Sequence, residues 1–271
     1  MWDKRFEGWY FKHQNAGETA AFIPGKANSG AFVQVITNAR SWQFPVSKFR
    51  VEQKIYADDC MFGSEGVTIN LPEMRGKIAY GPLTELRSDI MGPFRFLPME
   101  CRHGVISMRH TLTGWLEIQG RKLDFTGGLG YVEKDSGRSF PKNYLWIQCN
   151  DFPVACSIMV SIAHIPFAGL WFRGCICAIV YEDREFRLAT YSGVKTQAAG
   201  PKRICLLQGN KRLEVDILET KGSHPLKSPR NGGMTGIIKE CNRATARFRF
   251  WEKGRLIFDF TSNNAGFEYF R

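Results

Sequence analysis

Two short runs hold the residues best suited to acid–base chemistry. Phe6-Glu7-Gly8-Trp9-Tyr10-Phe11-Lys12 sets a carboxylate among large aromatics. On a strand, Glu7, Trp9 and Phe11 share one face, and Phe6, Gly8, Tyr10 and Lys12 share the other. A carboxyl beside aromatic walls is desolvated, which favours its neutral, proton-donating form. An ion pair with a buried Lys or Arg is the structural alternative. In Gly130-Tyr131-Val132-Glu133-Lys134-Asp135-Ser136-Gly137, strand alternation puts Tyr131, Glu133 and Asp135 on one face and Val132 and Lys134 on the other. Two like charges so placed repel, and one carboxyl keeps its proton more tightly, which is one way to make a general acid. The competing reading is a pair neutralised by Lys134 or Arg138.

A third run, Tyr144 to Asn150, alternates Tyr144, Trp146, Gln148 and Asn150 with Leu145, Ile147 and Cys149. One face is aromatic and amide-bearing and suits a cavity wall; the other is small and apolar. His103 and His110 are seven residues apart, so a regular strand sends them to opposite faces, and a shared metal would need a bulge. Cys175-Ile176-Cys177 has no second ligand pair at zinc spacing, so buried thiols and no metal site are expected. The glycines at 127, 128 and 130 lack the βαβ setting of a dinucleotide site. No Gly-x-Ser-x-Gly elbow or Walker loop occurs, so a serine nucleophile and nucleotide hydrolysis have no support.

Strands must position these residues. Ala31–Ile36, Val67–Leu71, Leu112–Ile118, Leu123–Phe125, Ile158–Ala163, Cys175–Tyr181, Phe186–Tyr191, Ile204–Leu207, Leu213–Leu218, Ala246–Trp251 and Leu256–Phe260 all read as short strands. Gln119-Gly120-Arg121 and Glu252-Lys253-Gly254-Arg255 read as hairpin turns. Amphipathic helices are absent. The fold class is therefore all-β, a sandwich or barrel architecture. Gly92-Pro93-Phe94-Arg95-Phe96-Leu97-Pro98 interrupts any ladder. It predicts an N-terminal β domain over 1–98 and a C-terminal one over 99–271. Lys221 to Thr235, rich in Gly, Pro, Ser and Asn, reads as a surface loop.

The 271 residues can bury a sizeable core, and 44% hydrophobic against 23% charged residues excludes a disordered chain. The formal charge of +11 comes from Lys and Arg spread along the chain with no nucleic-acid-binding motif, so a solvated basic surface is expected and nucleic acid is not a partner. The eight cysteines are too sparse for a disulfide scaffold. With no secretory or transit pattern at the start and no apolar run of membrane length, the reading is a reduced, cytoplasmic setting, at most peripheral to a membrane.

Several motifs together resemble the tocopherol cyclase family. They are Phe6 to Lys12, Pro24-Gly25 ahead of Ala31–Ile36, Pro98-Met99-Glu100-Cys101, His103 to Met108, Gly130 to Asp135, Ser139-Phe140-Pro141 and Trp146 to Asn150. They run in order over the first 152 residues or so, and Pro153 to Arg271 matches only in β character. A more distant likeness reaches the hydroxyneurosporene synthase and AttH-like proteins, with Ser136 standing where a Trp is usual. The resemblance implies two lipocalin-like barrels or curled sheets. It also implies a cofactor-independent cyclisation of a prenylated (hydro)quinone or related isoprenoid to a chroman-type ring. Such chemistry needs a neutral acid, a dry cavity and aromatic faces for a cation.

Asp135 is the expected acid, with Glu7 as its neighbour or replacement and Glu133 as a further candidate. Asp58 and Asp59 are weaker ones. His103 would orient the phenol or take its proton. Trp9, Tyr10, Tyr131, Trp146, Gln148 and Asn150 are the expected substrate contacts, with Trp9 preferred to Tyr10 because it shares a face with Glu7. A lipocalin-like carrier of a lipophilic molecule, and a hydratase or pericyclase on the same scaffold, are the alternative functions. The sequence leaves the oligomeric state open.

Overall fold

The computed structural model describes residues 5–167 and 170–271. Twenty-two strands account for nearly all of its regular structure. The first twelve are β1 (Phe6–Asn15), β2 (Glu18–Ala27), β3 (Gly30–Thr37), β4 (Ser41–Val46), β5 (Phe49–Val51), β6 (Ile55–Ala57), β7 (Cys60–Gly63), β8 (Gly66–Leu71), β9 (Met74–Tyr80), β10 (Cys101–Ile118), β11 (Arg121–Asp124) and β12 (Leu129–Gly137). The rest are β13 (Tyr144–Cys149), β14 (Cys156–Phe167), β15 (Leu170–Tyr181), β16 (Arg184–Ala189), β17 (Lys195–Ala199), β18 (Arg203–Gln208), β19 (Lys211–Thr220), β20 (Ser223–Arg230), β21 (Gly233–Glu252) and β22 (Arg255–Phe270). The only helical pieces among the described residues are one-turn 3-10 segments at Gly92–Phe96 and Thr190–Ser192.

The strands form two sheets in the orders β4-β3-β2-β1-β12-β10-β9-β8-β7-β6-β5, with β11 on β10, and β16-β15-β14-β13-β22-β21-β19-β18-β17, with β20 on β21. All-β architecture with two curled antiparallel sheets and few short helices is as expected; neither sheet closes into a full barrel. In each, a four-strand meander is followed by strands that return so that the last long one lies beside the first. The strands at the two ends of each path, β4 with β5 and β16 with β17, are neighbours in sequence, so each sheet curls back toward its own start. The same design occurs twice without a detectable sequence repeat.

Two-residue turns set the register. Gln119 (φ 52) and Gly120 (φ 76) join β10 to β11, and Lys253 (φ 52) and Gly254 (φ 75) join β21 to β22. Both have the positive-φ pair that matches strand twist. Asn231 (φ 49) and Gly232 (φ 83) make the same turn between β20 and β21. Residues 221–235, expected to be a loop, therefore hold most of a hairpin whose Asn-Gly signal is masked by the polar residues around it. Gly114 (φ 135) lies where a Cβ would stand 2.1 Å from the Lys77 carbonyl oxygen. Only glycine lets β9 and β10 approach so closely.

Packing divides the chain into two units. One is Met1–Leu86 with His103–Ser139 and Leu226–Ile237; the other is Arg87–Arg102 with Phe140–Pro225 and Ile238–Arg271. The division does not fall at residue 98. β10 and β12 pair into the first sheet, and the tip of the β20–β21 hairpin hydrogen-bonds to it, Lys227 N donating to Gln34 Oε1 at 2.7 Å and Gln34 Nε2 to Lys227 O at 2.9 Å.

Strand alternation gives each unit its core. In the first, Trp9, Phe11, Phe22, Val33, Val35, Phe62, Ile78 and Val132 meet inside the curl. In the second, Leu145, Ile147, Ile158, Val160, Cys175, Cys177, Phe248 and Phe250 do so. Cys175 and Cys177 are thus core residues, the first with its thiol pushed up to about 12 by burial and the second well above its ordinary value. No disulfide joins any of the eight cysteines. No helix among the described residues is long and apolar enough to cross a membrane.

Candidate functional site

The β1–β12 register decides which of the expected residues can act together. Gly8 stands opposite Asp135, Tyr10 opposite Glu133 and Lys12 opposite Tyr131. Directly opposed residues share a face of the sheet. Asp135, Glu133 and Tyr131 therefore lie with Tyr10 and Lys12, on the face turned away from the core of the first unit. Glu7 and Trp9 lie on the core face, opposite Ser136 and Lys134.

The expectation that Glu7 neighbours Asp135 is not met. Glu7 is tied instead to Lys134 Nζ at 2.6 Å and Lys26 Nζ at 3.4 Å. Lys134 also sits 4.6 Å above the Trp9 ring. Trp9 is a buried core residue on the Glu7 side, so Tyr10, not Trp9, accompanies Asp135. Sequence alternation sorted each strand internally, but the relation between the two faces depends on a pairing register that composition does not reveal.

β10 brings the third element. His103 places Nδ1 3.0 Å from Asp135 Oδ1 and Nε2 3.3 Å from Glu133 Oε2. The Tyr131 hydroxyl donates to the same Glu133 Oε2 at 2.6 Å. The result is one chain of polar groups, Tyr131–Glu133–His103–Asp135. Exposure falls along it from Asp135, whose side chain is 22% accessible, through His103 at 12% to Glu133 at 8%. Burial, joined by the Glu133 charge and hydrogen bond, holds the Tyr131 phenol well above the ordinary tyrosine range, so it remains a donor to Glu133. The carboxylate pair is thus bridged by an imidazole, where neutralisation by Lys134 or Arg138 was the alternative.

One nitrogen donor atom and two carboxylate oxygens here lie within 4.8 Å of one another, a spacing that would also admit a divalent cation. A hydrogen bond joins His103 Nδ1 to Asp135 Oδ1, and Nε2 meets Glu133 Oε2 as a close contact.

His110 takes the opposite face from His103, as the spacing predicts. It lies inside the first unit, where Ser107 Oγ meets its Nδ1 at 2.9 Å and its ring sits 4.2 Å from that of Tyr80. Tyr80 in turn bonds His13 Nε2 at 2.5 Å. A Cβ at Gly130 would fall 2.1 Å from His110 Nε2, so this packing requires glycine. Burial pushes His13 down to about 3, helped by His110, and His110 down to about 4. Sequence inspection missed this pair because His13 follows the Phe6–Lys12 run and its partners come from β9 and β10.

Trp146, Gln148 and Asn150 are buried on the face of the second sheet opposite its core, with the alternation read from sequence. They do not line the cavity of about 230 Å3 in that unit, whose walls include Leu145, Ile162, Arg173 and Tyr269. Asp58 is structural: at φ 48 its carboxylate accepts from Lys48 N at 2.7 Å and Ser47 N at 3.1 Å. Glu214, also buried, is enclosed by Arg212, Arg203 and Arg249. Burial opposes its charge, but the three arginines outweigh it and hold the carboxyl below its usual range.

The scaffold is two all-β sheets, and the first carries a partly exposed carboxyl backed by a histidine. Residues 71–269 match the family described as tocopherol cyclase-like, and the chain belongs to that family. It is 26% identical to the chloroplastic tocopherol cyclase of Zea mays over 171 residues, 58% of this chain and 36% of that protein. With the probable chloroplastic tocopherol cyclase of Oryza sativa subsp. japonica it is 26% identical over 205 residues, 70% of this chain and 44% of that protein. The chain thus spans less than half the length of these curated relatives.

Among solved structures it resembles CghA with Sch210972, at TM-score 0.63 and 10% identity over 98% of this chain and 89% of that one. A putative AttH from Nitrosomonas europaea follows, at TM-score 0.57 and 14% identity over 98% and 93%. Kievitone hydratase from Nectria haematococca gives TM-score 0.53 and 12% identity over 98% and 88%. These likenesses show the fold alone: the chain shares the lipocalin-like architecture of these neighbours, with two curled sheets that do not close.

Proposed function

We propose that the protein is an acid-initiated cyclase that closes a prenylated hydroquinone, or a related isoprenoid, to a chroman-type ring. The carrying observation is the Tyr131–Glu133–His103–Asp135 chain, with Asp135 at its accessible end. Family membership and the names of the plant relatives support the substrate class.

In this reading the Asp135 carboxyl gives its proton to the less substituted carbon of a trisubstituted alkene. A tertiary cation forms at the other carbon, and the phenolic oxygen captures it. The phenol's proton passes to the Glu133–His103 pair and returns through His103 to Asp135. No atom is gained or lost, and no cofactor takes part. Tyr10, on the same face as the acid, offers a ring to the cation. Glu7 and Trp9 have no part in the reaction.

Asp135→Asn tests the acid. General acid–base catalysis is commonly worth about 10²- to 10⁴-fold, and a loss of that size with an unchanged melting temperature is expected. Full turnover by a folded Asp135→Asn protein would refute the assignment. A second reading, capture of the same cation by water, is favoured by the likeness to kievitone hydratase. It differs by one water in the product mass.

A further inference from the structure

On the outward face of the second sheet, Asn242 is fully buried, yet neither its Oδ1 nor its Nδ2 has a hydrogen-bond partner among the described residues. No other side chain there leaves both ends of an amide unpaired. Buried carboxamides are costly in that state, and native proteins keep few of them. The local backbone shows how Asn242 comes to be there. Cys241 pairs with Phe267, but Ala244 pairs with Ala265, so β21 carries one extra residue and Asn242 and Arg243 together face Gly266. Cys241 and Ala244 both enter the core, Arg243 turns to solvent, and Asn242 turns to the opposite, enclosed face. Bulges commonly re-aim a side chain beside a functional site.

The surroundings define what fits. Gln148 pairs with Gly266 from the other side, so the two amides flank a strand position that has no side chain. They lie two strand spacings apart, about 10 Å between backbones. Trp146 and Glu268 are directly opposed on the same face, and Glu240 is directly opposed to Glu268. A carboxamide offers one acceptor and two donor hydrogens. A hydroxyl uses both kinds of group at once, a hydrocarbon uses neither, and an anion would be repelled by Glu240 and Glu268. The Trp146 ring suits an aromatic body.

We infer that Asn242, across Gly266 from Gln148, binds a phenolic hydroxyl of the aromatic ligand. The choice of a hydroquinone as that ligand rests on the proposed function; the unpaired amide does not.

The test is equilibrium binding followed by tryptophan fluorescence under reducing conditions. The probes are a hydroquinone bearing a saturated side chain, which cannot cyclise, and its dimethyl ether. The native protein should bind the hydroquinone at least tenfold more tightly than the ether. Asn242→Leu and Asn242→Ala should each erase that preference while melting no lower than the native protein. Three results would overturn the inference: variants that keep the native preference, as an amide satisfied by buried water would give; loss of fold in both variants; or a native protein that binds the two probes equally or not at all. Turnover by Asp135→Asn reports separately on the acid, so either assignment can fail while the other stands.

Discussion

Lys134 closes on Glu7, Nζ to Oε1 at 2.6 Å, across the β1–β12 pair. This contact separates two carboxyl groups, Glu7 and Asp135, that local sequence offers as partners. It commits Glu7 to the core face of the first sheet and leaves Asp135 and Glu133 to His103. Glu7 is a quarter exposed, and pairs of that kind contribute about 0–1 kcal/mol. Glu7→Gln is therefore expected to lower stability by no more than about 1 kcal/mol and to leave turnover within about threefold of native. Thermal melts and initial rates check both. A hundredfold loss of rate would return Glu7 to the site.

His103 has a positioning role as well as a place in the relay, because it touches both carboxylates. His103→Gln retains two polar contacts but cannot carry the added proton. Turnover should fall by about 10²-fold or more while affinity for a non-reactive ligand changes little. Tyr131→Phe removes the donor to Glu133 Oε2 and leaves the ring's packing. It should reduce kcat by a smaller factor and shift the pH–rate profile. An unchanged profile in Tyr131→Phe would detach Tyr131 from the chain.

The first unit carries a built-in acid sensitivity. His13 is pushed down to about 3 and His110 to about 4 from an ordinary 6.5. An unfolded chain binds protons at these residues more readily than the folded one, so the unfolded state gains protons first as pH falls. Their contribution to stability is fully present above about pH 6.5 and is lost progressively toward pH 3 to 4. Together they account for a loss on the order of several kcal/mol. Denaturant midpoints across that range should fall steeply in the native protein. They should fall less steeply in His13→Asn or His110→Asn, if each is compared with its own value at neutral pH. Equal slopes would mean that other groups dominate.

The donor set at His103, Glu133 and Asp135 gives a further check. If these groups form a proton relay and not a metal site, prolonged chelation leaves turnover unchanged within experimental scatter. Added Zn²⁺ should inhibit by competing for the same three atoms. Activity lost on chelation and restored by one divalent metal would replace the proton relay with a metal site.

The parts legible in sequence were those fixed by local rules. Alternation assigned Tyr131, Glu133 and Asp135 to one face, and Leu145, Ile147 and Cys149 to a core. The Gln119-Gly120 and Lys253-Gly254 turns were readable because two-residue hairpins demand their backbone angles. What was not legible depended on pairing between distant strands. The Gly8–Asp135 register exchanges Trp9 for Tyr10 beside the acid, and nothing in either strand encodes that offset. His13 and His110 are 97 positions apart, and Asn242 owes its place to a bulge that has no local signature. The packing units are discontinuous because β10 and β12 join a sheet begun at residue 6, and the β20–β21 tip packs against that sheet. A cut at Pro98 follows the chain, whereas the fold follows hydrogen bonds.

The most direct test of the central claim is to incubate the purified protein with a prenylated hydroquinone in D₂O and determine the product's mass and the position of any deuterium. Acid-initiated cyclisation predicts a chroman isomeric with the substrate that holds one non-exchangeable deuterium. The label should sit on the carbon next to the new carbon–oxygen bond, and Asp135→Asn should abolish the product. A substrate recovered unchanged, a product heavier by one water, or a ring closed without deuterium would each contradict the account.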